Sequence, residues 1–189
     1  MGPVLEDLRQ AVEAAPSLEA ALTACVEGLR RELPHFNWVG AYMVQAGPSR
    51  EDARSMVQAG PSREDARSMP AGGDLVLGPW TGPAATEHVR IPVGTGVCGA
   101  AAASGRTEVV DDVNADPRYL ACFLNTRSEL VVPIVRGRRV YGEIDVDSDR
   151  AAAFSPADAA AVEGLCAVLA RKAEAEGHDF HEVAGGAGA

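Results

Sequence analysis

Apolar residues recur along the chain in two periods, and the change of period marks its organisation. Across residues 17–33, SLEAALTACVEGLRREL, Leu18, Leu22, Cys25 and Leu29 form one helical stripe, which Pro34 ends. A second helix is announced by Ser155-Pro156-Ala157-Asp158, a capping box with proline at the first helical position. Behind it, Val162, Leu165, Cys166 and Leu169 repeat at i, i+3, i+4 and i+7. Between these helices the pattern is that of strands, at residues 36–44, 74–78, 88–93, 107–110, 129–135 and 139–147. The last two flank Arg136-Gly137-Arg138, a short turn that predicts a hairpin. One short helix, near Cys98 to Ser104, interrupts the strands. Strands in the middle and helices at both ends predict an α+β fold. Its central sheet is expected to be mostly antiparallel, with the N- and C-terminal helices packed on one face.

The 189 residues suit one domain with a real core, here residues 1–175, followed by a flexible tail over 176–189. Inside the domain VQAGPSREDARSM occurs at 44–56 and again, letter for letter, at 57–69. A single 13-residue copy is too short and too few for a solenoid, so 44–69 reads as a duplicated loop insertion. No run approaches the roughly 18 apolar residues of a membrane span. The N-terminus lacks the basic start and apolar stretch of a signal peptide, and Glu6 stands where a myristoylation signal needs Ser or Thr. A cytoplasmic location is the expectation, with no membrane partner. The formal net charge of −10 would repel a phosphate backbone, and the one basic cluster, Arg136, Arg138 and Arg139, sits at the hairpin tip. Nucleic acid is therefore not expected.

The four cysteines form no C-x-x-C and no close zinc spacing, so thiols are expected rather than disulfides or a metal site. Cys25 and Cys166 lie on apolar helix stripes and read as small buried hydrophobes. Cys98 lies in Gly94-Thr95-Gly96-Val97-Cys98-Gly99, which has the surface form of a dinucleotide fingerprint. The helix that follows would end at Ser104-Gly105, too short for a βαβ crossover. The glycines instead turn the backbone sharply into a helix and leave Cys98 near its N-terminus, where the dipole favours a thiolate. Cys122 lies in a loop, Tyr119 to Glu129, that runs into a strand. Along Val140 to Asp147, the apolar Val140, Ile144 and Val146 alternate with Glu143, Asp145 and Asp147. Taken alone, three acids at period two describe the solvated side of a sheet; the functional alternative is an acidic pocket wall for an ammonium group. A D-x-D could hold Mg2+, but no phosphate-binding motif accompanies it, and no metal is expected.

Together these segments resemble the free methionine-(R)-sulfoxide reductases, a family built on the GAF domain. The resemblance rests on Asn37-Trp38-Val39-Gly40-Ala41-Tyr42, LVLGPWTG (75–82), RIPVGTGVCG (90–99), YLACFLNTRSELVVPI (119–134) and GEIDVDS (142–148), in that order. It implies a GAF-like fold and reduction of free L-methionine-(R)-sulfoxide through a cysteine sulfenic acid and an intramolecular disulfide. The reductant would be of the thioredoxin type, with no cofactor. By position Cys122 matches the thiol that takes the oxygen and Cys98 a resolving thiol, although the residues alone leave the reverse open. Glu129, Asp145 and Asp147 match substrate-binding acids, and Trp38 and Tyr42 an aromatic wall for the methyl-sulfur end; ordinary core packing is the alternative for both aromatics. The family often carries a third cysteine two residues before the Arg of the RIP segment, where this chain has His88. That departure, with the duplicated loop, keeps a second reading open, a non-catalytic GAF domain that binds or senses a small ligand. The two matched thiols, the three acids and the lack of an attached output domain favour the enzyme. The resemblance also implies a homodimer paired through the amphipathic terminal helices.

Overall fold

Helix α2 (Leu18–Glu32) forms where the apolar stripe predicts it: the Ser17 hydroxyl caps its start by accepting from Ala20 N at 3.2 Å. Such a cap contributes about 1 kcal/mol. The chain is described by a computed structural model over residues 3–45, 73–121 and 123–183. Most of the duplicated 44–69 loop, and Cys122, lie outside the described residues. An earlier helix, α1 (Pro3–Ala14), packs against α2 and buries Leu8 and Val12. The capping box at Ser155 is present in full, with Asp158 Oδ2 accepting from Ser155 N at 2.8 Å. It opens the last helix, α4 (Pro156–Ala175).

The strands are β1 (Trp38–Gln45), β2 (Asp74–Thr81), β3 (Arg90–Pro92), β4 (Glu108–Val110), β5 (Ser128–Arg136), β6 (Arg139–Ser148) and β7 (His181–Glu182). They form one sheet in the order β3-β2-β1-β6-β5-β4, with β7 also on β6. Every pairing among the described residues is antiparallel. The short α3 (Gly96–Ser104) replaces any βαβ crossover, which removes the dinucleotide-binding alternative. Helices α2 and α4 cover one face of the sheet, over Val39, Ala41, Leu130, Val132, Ile144 and Val146, and α1 packs on these two helices. Each such aliphatic side chain contributes about 1.5–3 kcal/mol by leaving water, so this layer holds most of the fold's apolar stabilisation. The opposite face meets α3 through Trp38, Tyr42, Leu75, Val131 and Val140, against Val97, Cys98, Ala101 and Ala102.

Two expectations change. Val140 does not share a face with Ile144 and Val146. Ile134 pairs with Gly142 but Val135 with Val140, so Tyr141 is an extra residue at a bulge. That one-residue slip sends Tyr141 into the helix-side cluster and Val140 into the other. The stretch read as a flexible tail is also tied down in part. His181 and Glu182 pair with Val140 and Arg139, and the Phe180 ring packs on Tyr141 and lies 4.6 Å from the Arg139 guanidinium.

Candidate active site

Register builds the site, because side chains directly opposite on neighbouring strands share a face. Across β1, β6 and β5, Trp38 faces Asp147, which faces Glu129. Two residues along, Gly40 faces Asp145, which faces Val131; next, Tyr42 faces Glu143. Glu129, Glu143, Asp145 and Asp147 thus stand on the face away from the three long helices. They are not solvated: their exposures are 4%, 0%, 1% and 3%. The solvated-face reading of β6 is overturned, because α3 and the loops around it cover this side of the sheet.

Helix α3 brings in the thiol. Gly94 and Gly96 adopt φ of +93° and +72°, a turn that other residues resist. A side chain on Gly99 would run into the Pro92 carbonyl and Gly94. The tight entry sets Cys98 in the first turn of α3, with its thiol donating to Glu129 Oε1 at 3.7 Å. One ligand atom each from Cys98, Glu129 and Asp145 all lie within 4.8 Å of one another. The helix N-terminus favours a thiolate here, as the sequence suggests, but the clustered acids oppose one.

Electrostatically the acids form one coupled group. Burial first, then the charge of Asp147, pushes Glu129 up to about 8 from its ordinary 4.5, against some relief from the Cys98 thiol. Burial first and then Asp145 hold Glu143 well above the carboxylate range. Burial and Glu129 do the same to Asp145, and burial and Asp145 to Asp147, which Thr126 relieves in part. Glu129 Oε2 and Asp145 Oδ1 are buried without a hydrogen-bond partner, and Glu143 and Asp147 have none beyond the nearby Cys98 thiol and Thr126 hydroxyl. Among the described residues none of the four forms an ion pair within 4.0 Å with Lys, Arg or His. Unpartnered acids at this depth cost the fold several kcal/mol unless they stay neutral or meet a cation. The site is thus built to receive positive charge.

Aromatic rings form the rest of the wall. Trp38 is 2% exposed, lies across Gly40, stacks on Trp80 at 6.3 Å and meets Phe123 at 5.7 Å. Tyr42 is fully buried and donates its hydroxyl to the His88 carbonyl at 2.8 Å. A cleft of about 370 Å3 opens beside Trp38, Phe123, Thr126 and Asp147. Cys98, Glu129, Glu143 and Asp145 are not part of its wall. His88 Nε2 sits 3.3 Å from the Ala121 carbonyl oxygen, next in sequence to Cys122.

Of the residues singled out from the sequence, Trp38, Tyr42, Cys98, Glu129, Asp145 and Asp147 therefore gather on one face. Cys122 falls outside the described residues, although its neighbours Ala121 and Phe123 border this region. Trp80 and Phe123 were missed, and Glu143 was read only as part of a possible acidic wall, with no matched role. Glu143 carried a signal, an acid at the same period as Asp145 and Asp147; the two rings carried none. Cys25 and Cys166 lie on the far side of the sheet, where burial pushes Cys25 up to about 12 and Cys166 well above its usual range. Burial there holds both as neutral thiols, as their helix stripes suggest.

The description "GAF domain" fits residues 17–172. GAF domain-containing protein A of Dictyostelium discoideum is 30% identical over 152 residues, 76% of this chain and 79% of that protein. Protein YtsP of Bacillus subtilis (strain 168) is 38% identical over 120 residues, 64% of this chain. The match spans 58% of that protein, so the chain covers less than two thirds of the length of such a curated relative. Among solved structures, the free methionine-R-sulfoxide reductase from Neisseria meningitidis in complex with its substrate superposes with a TM-score of 0.70. It is 35% identical, over 91% of this chain and 87% of that one.

Proposed function

We propose, from the premise that the chain belongs to the GAF domain family, that its acid-lined pocket binds free L-methionine-(R)-sulfoxide and its thiols reduce it to methionine. The observation that carries this reading is a cysteine, four buried acids without ion-pair partners and two aromatic rings on one face of the sheet. A free amino acid offers what such a pocket lacks, an ammonium group for the acids and a methyl-sulfur end for Trp38 and Tyr42. The substrate complex of the Neisseria meningitidis reductase supports the same assignment.

In the proposed sequence the Cys122 thiolate attacks the sulfoxide sulfur. The oxygen passes to the cysteine with one proton, methionine leaves reduced by two electrons, and Cys122 remains as a sulfenic acid. The Cys98 thiol then attacks that sulfur; the Cys98–Cys122 disulfide forms and water departs. A thioredoxin-type dithiol restores both thiols. Glu129 is suited to proton delivery, because titration near 8 leaves it mostly protonated at neutral pH. Asp145 and Asp147 are suited to the ammonium, whose charge favours their ionised forms. Cys98 is suited to the second step, since a thiol hydrogen-bonded to an acid is held until a sulfenic acid arrives. Pairing through the terminal helices as a homodimer extends this reading, and size exclusion at two concentrations tests it.

The test is incubation of the reduced protein with free methionine-R,S-sulfoxide and a dithiol, with each epimer followed separately. Loss of the R epimer alone is expected; loss of neither removes the enzyme reading. One observation favours a second reading, a GAF domain that binds its ligand without chemistry. His88, where the family often has a third cysteine, stands against the residue preceding Cys122. If that missing thiol were the essential partner, the protein would bind the sulfoxide and leave it unchanged.

A further inference from the structure

The pocket geometry points to a second ligand chemistry: Cys98, Glu129 and Asp145 form a site for a thiophilic divalent cation such as Zn2+. This inference stands on the residues alone and does not need the reductase reading. Three potential ligand atoms from three separate elements, α3, β5 and β6, lie within 4.8 Å of one another. Zinc bonds thiolate sulfur at about 2.3 Å and carboxylate oxygen at about 2.0–2.2 Å, which sets tetrahedral ligands roughly 3.3–3.7 Å apart. The three side chains need to close by only about 1 Å to reach that spacing.

A second observation marks the place as a cation site rather than a chance cluster. Glu143 is wholly buried, has no partner for its oxygens beyond the nearby Cys98 thiol, and stands close enough to Asp145 to feel its charge. A single ammonium group brings one positive charge to this wall of four acids; a divalent ion brings two. The sulfur ligand selects among divalent ions, favouring Zn2+ and Co2+ over Mg2+ and Ca2+, which prefer oxygen alone. Sequence spacing did not reveal the site, because its ligands are far apart in the chain and only the sheet register brings them together.

On binding, the Cys98 proton and those held by Glu129 and Asp145 leave to solvent, sulfur and carboxylate lone pairs coordinate the ion, and water completes the four-fold shell; nothing is oxidised or reduced. The bound ion caps Cys98 and occupies Glu129 and Asp145, so it competes both with an ammonium-bearing ligand and with any disulfide that Cys98 forms.

The experiment titrates the full, reduced, metal-free chain with Co2+ while its absorption spectrum is followed, then displaces Co2+ with Zn2+. One Co2+ per chain is expected, with a thiolate-to-cobalt charge-transfer band and the strong visible bands of four-coordinate cobalt. Zn2+ should abolish both. Cys98→Ser should lose the charge-transfer band and weaken Zn2+ binding at least about tenfold. Asp145→Asn should weaken binding while keeping the band. No thiolate band in the unmutated protein, or unchanged Zn2+ affinity in Cys98→Ser, overturns the inference. Should Cys98→Ser fail to fold, alkylation of the unmutated chain decides: Zn2+ protects Cys98 from iodoacetamide, or it does not and the site is refuted. No sulfoxide enters these measurements, so a protein that reduces none can still pass and an active reductase can still fail.

Discussion

The two faces of the sheet carry thiols of equal burial and opposite surroundings. Cys25, Cys166 and Cys98 are all less than 5% exposed. The first two sit among leucine, valine and alanine side chains under the long helices, and burial holds them as thiols. Cys98 sits in the first turn of α3 beside Glu129, with Asp145 and Glu143 close by. Strand β6 states the same contrast in alternate residues, Ile144 and Val146 toward the helices, Glu143, Asp145 and Asp147 toward the pocket. Burial by itself therefore does not mark a structural cysteine. What it is buried with decides, because an apolar layer holds a thiol neutral whereas clustered acids offer protons and a place for positive charge.

The largest effect expected from this contrast is on turnover. Cys122→Ser should lower the rate of sulfoxide reduction by at least about a thousandfold. Cys166→Ala, on the dry face, should leave it within about twofold while costing about 1 kcal/mol of stability, read by urea unfolding. The reverse pattern would exchange the roles of the faces. Next in size is the helix-side core. Ile144→Ala should cost about 2–5 kcal/mol in the same unfolding experiment, with little change in KM for the protein that remains folded.

Its neighbour on the other face should behave oppositely. Asp145→Asn should weaken binding of the free amino acid by about 2 kcal/mol or more, read by calorimetry, because the ammonium loses a buried counter-charge. Its Tm should not fall, since the substitution removes a buried acid without an ion-pair partner. A drop in Tm with unchanged affinity would make Asp145 a structural residue.

A smaller effect follows from pH. Glu129 titrates near 8 in the folded chain against about 4.5 when unfolded, so between those values the folded state holds a proton the unfolded state has released. The stability this contributes is complete below about pH 4.5 and is lost as pH rises toward 8, by at most about 1.4 kcal/mol per pH unit. The raised values of Glu143, Asp145 and Asp147 act in the same direction. Unfolding midpoints measured from pH 5 to 8 should therefore decline, less steeply for Glu129→Gln.

Periodicity made much of the frame readable. The capping box at Ser155, the stripe of α2 and the hairpin at Gly137 are local signals, and local geometry obeys them. Helix α1 was also within reach, since Leu5, Leu8 and Val12 keep helical spacing. The bulge at Tyr141 was not: an extra residue in one strand shows only against its partner, β5. Nor does alternation reveal what covers a sheet face, so acids at period two read equally as a solvated edge or a buried wall. Resemblance to a family resolved that ambiguity for Glu129, Asp145 and Asp147. It left out Glu143, the most deeply buried of the four, because no matched role pointed to it.

In the proposed reaction Cys98 resolves the oxidised Cys122, while Cys25 and Cys166 stay buried on the other face of the sheet. Treating the reduced protein with one equivalent of methionine-(R)-sulfoxide, without reductant, and mapping its peptides by mass spectrometry tests this most directly. The predicted result is a Cys98–Cys122 disulfide with Cys25 and Cys166 unmodified. A lasting sulfenic acid with Cys98 still reduced, or a bridge that includes Cys25 or Cys166, would contradict it.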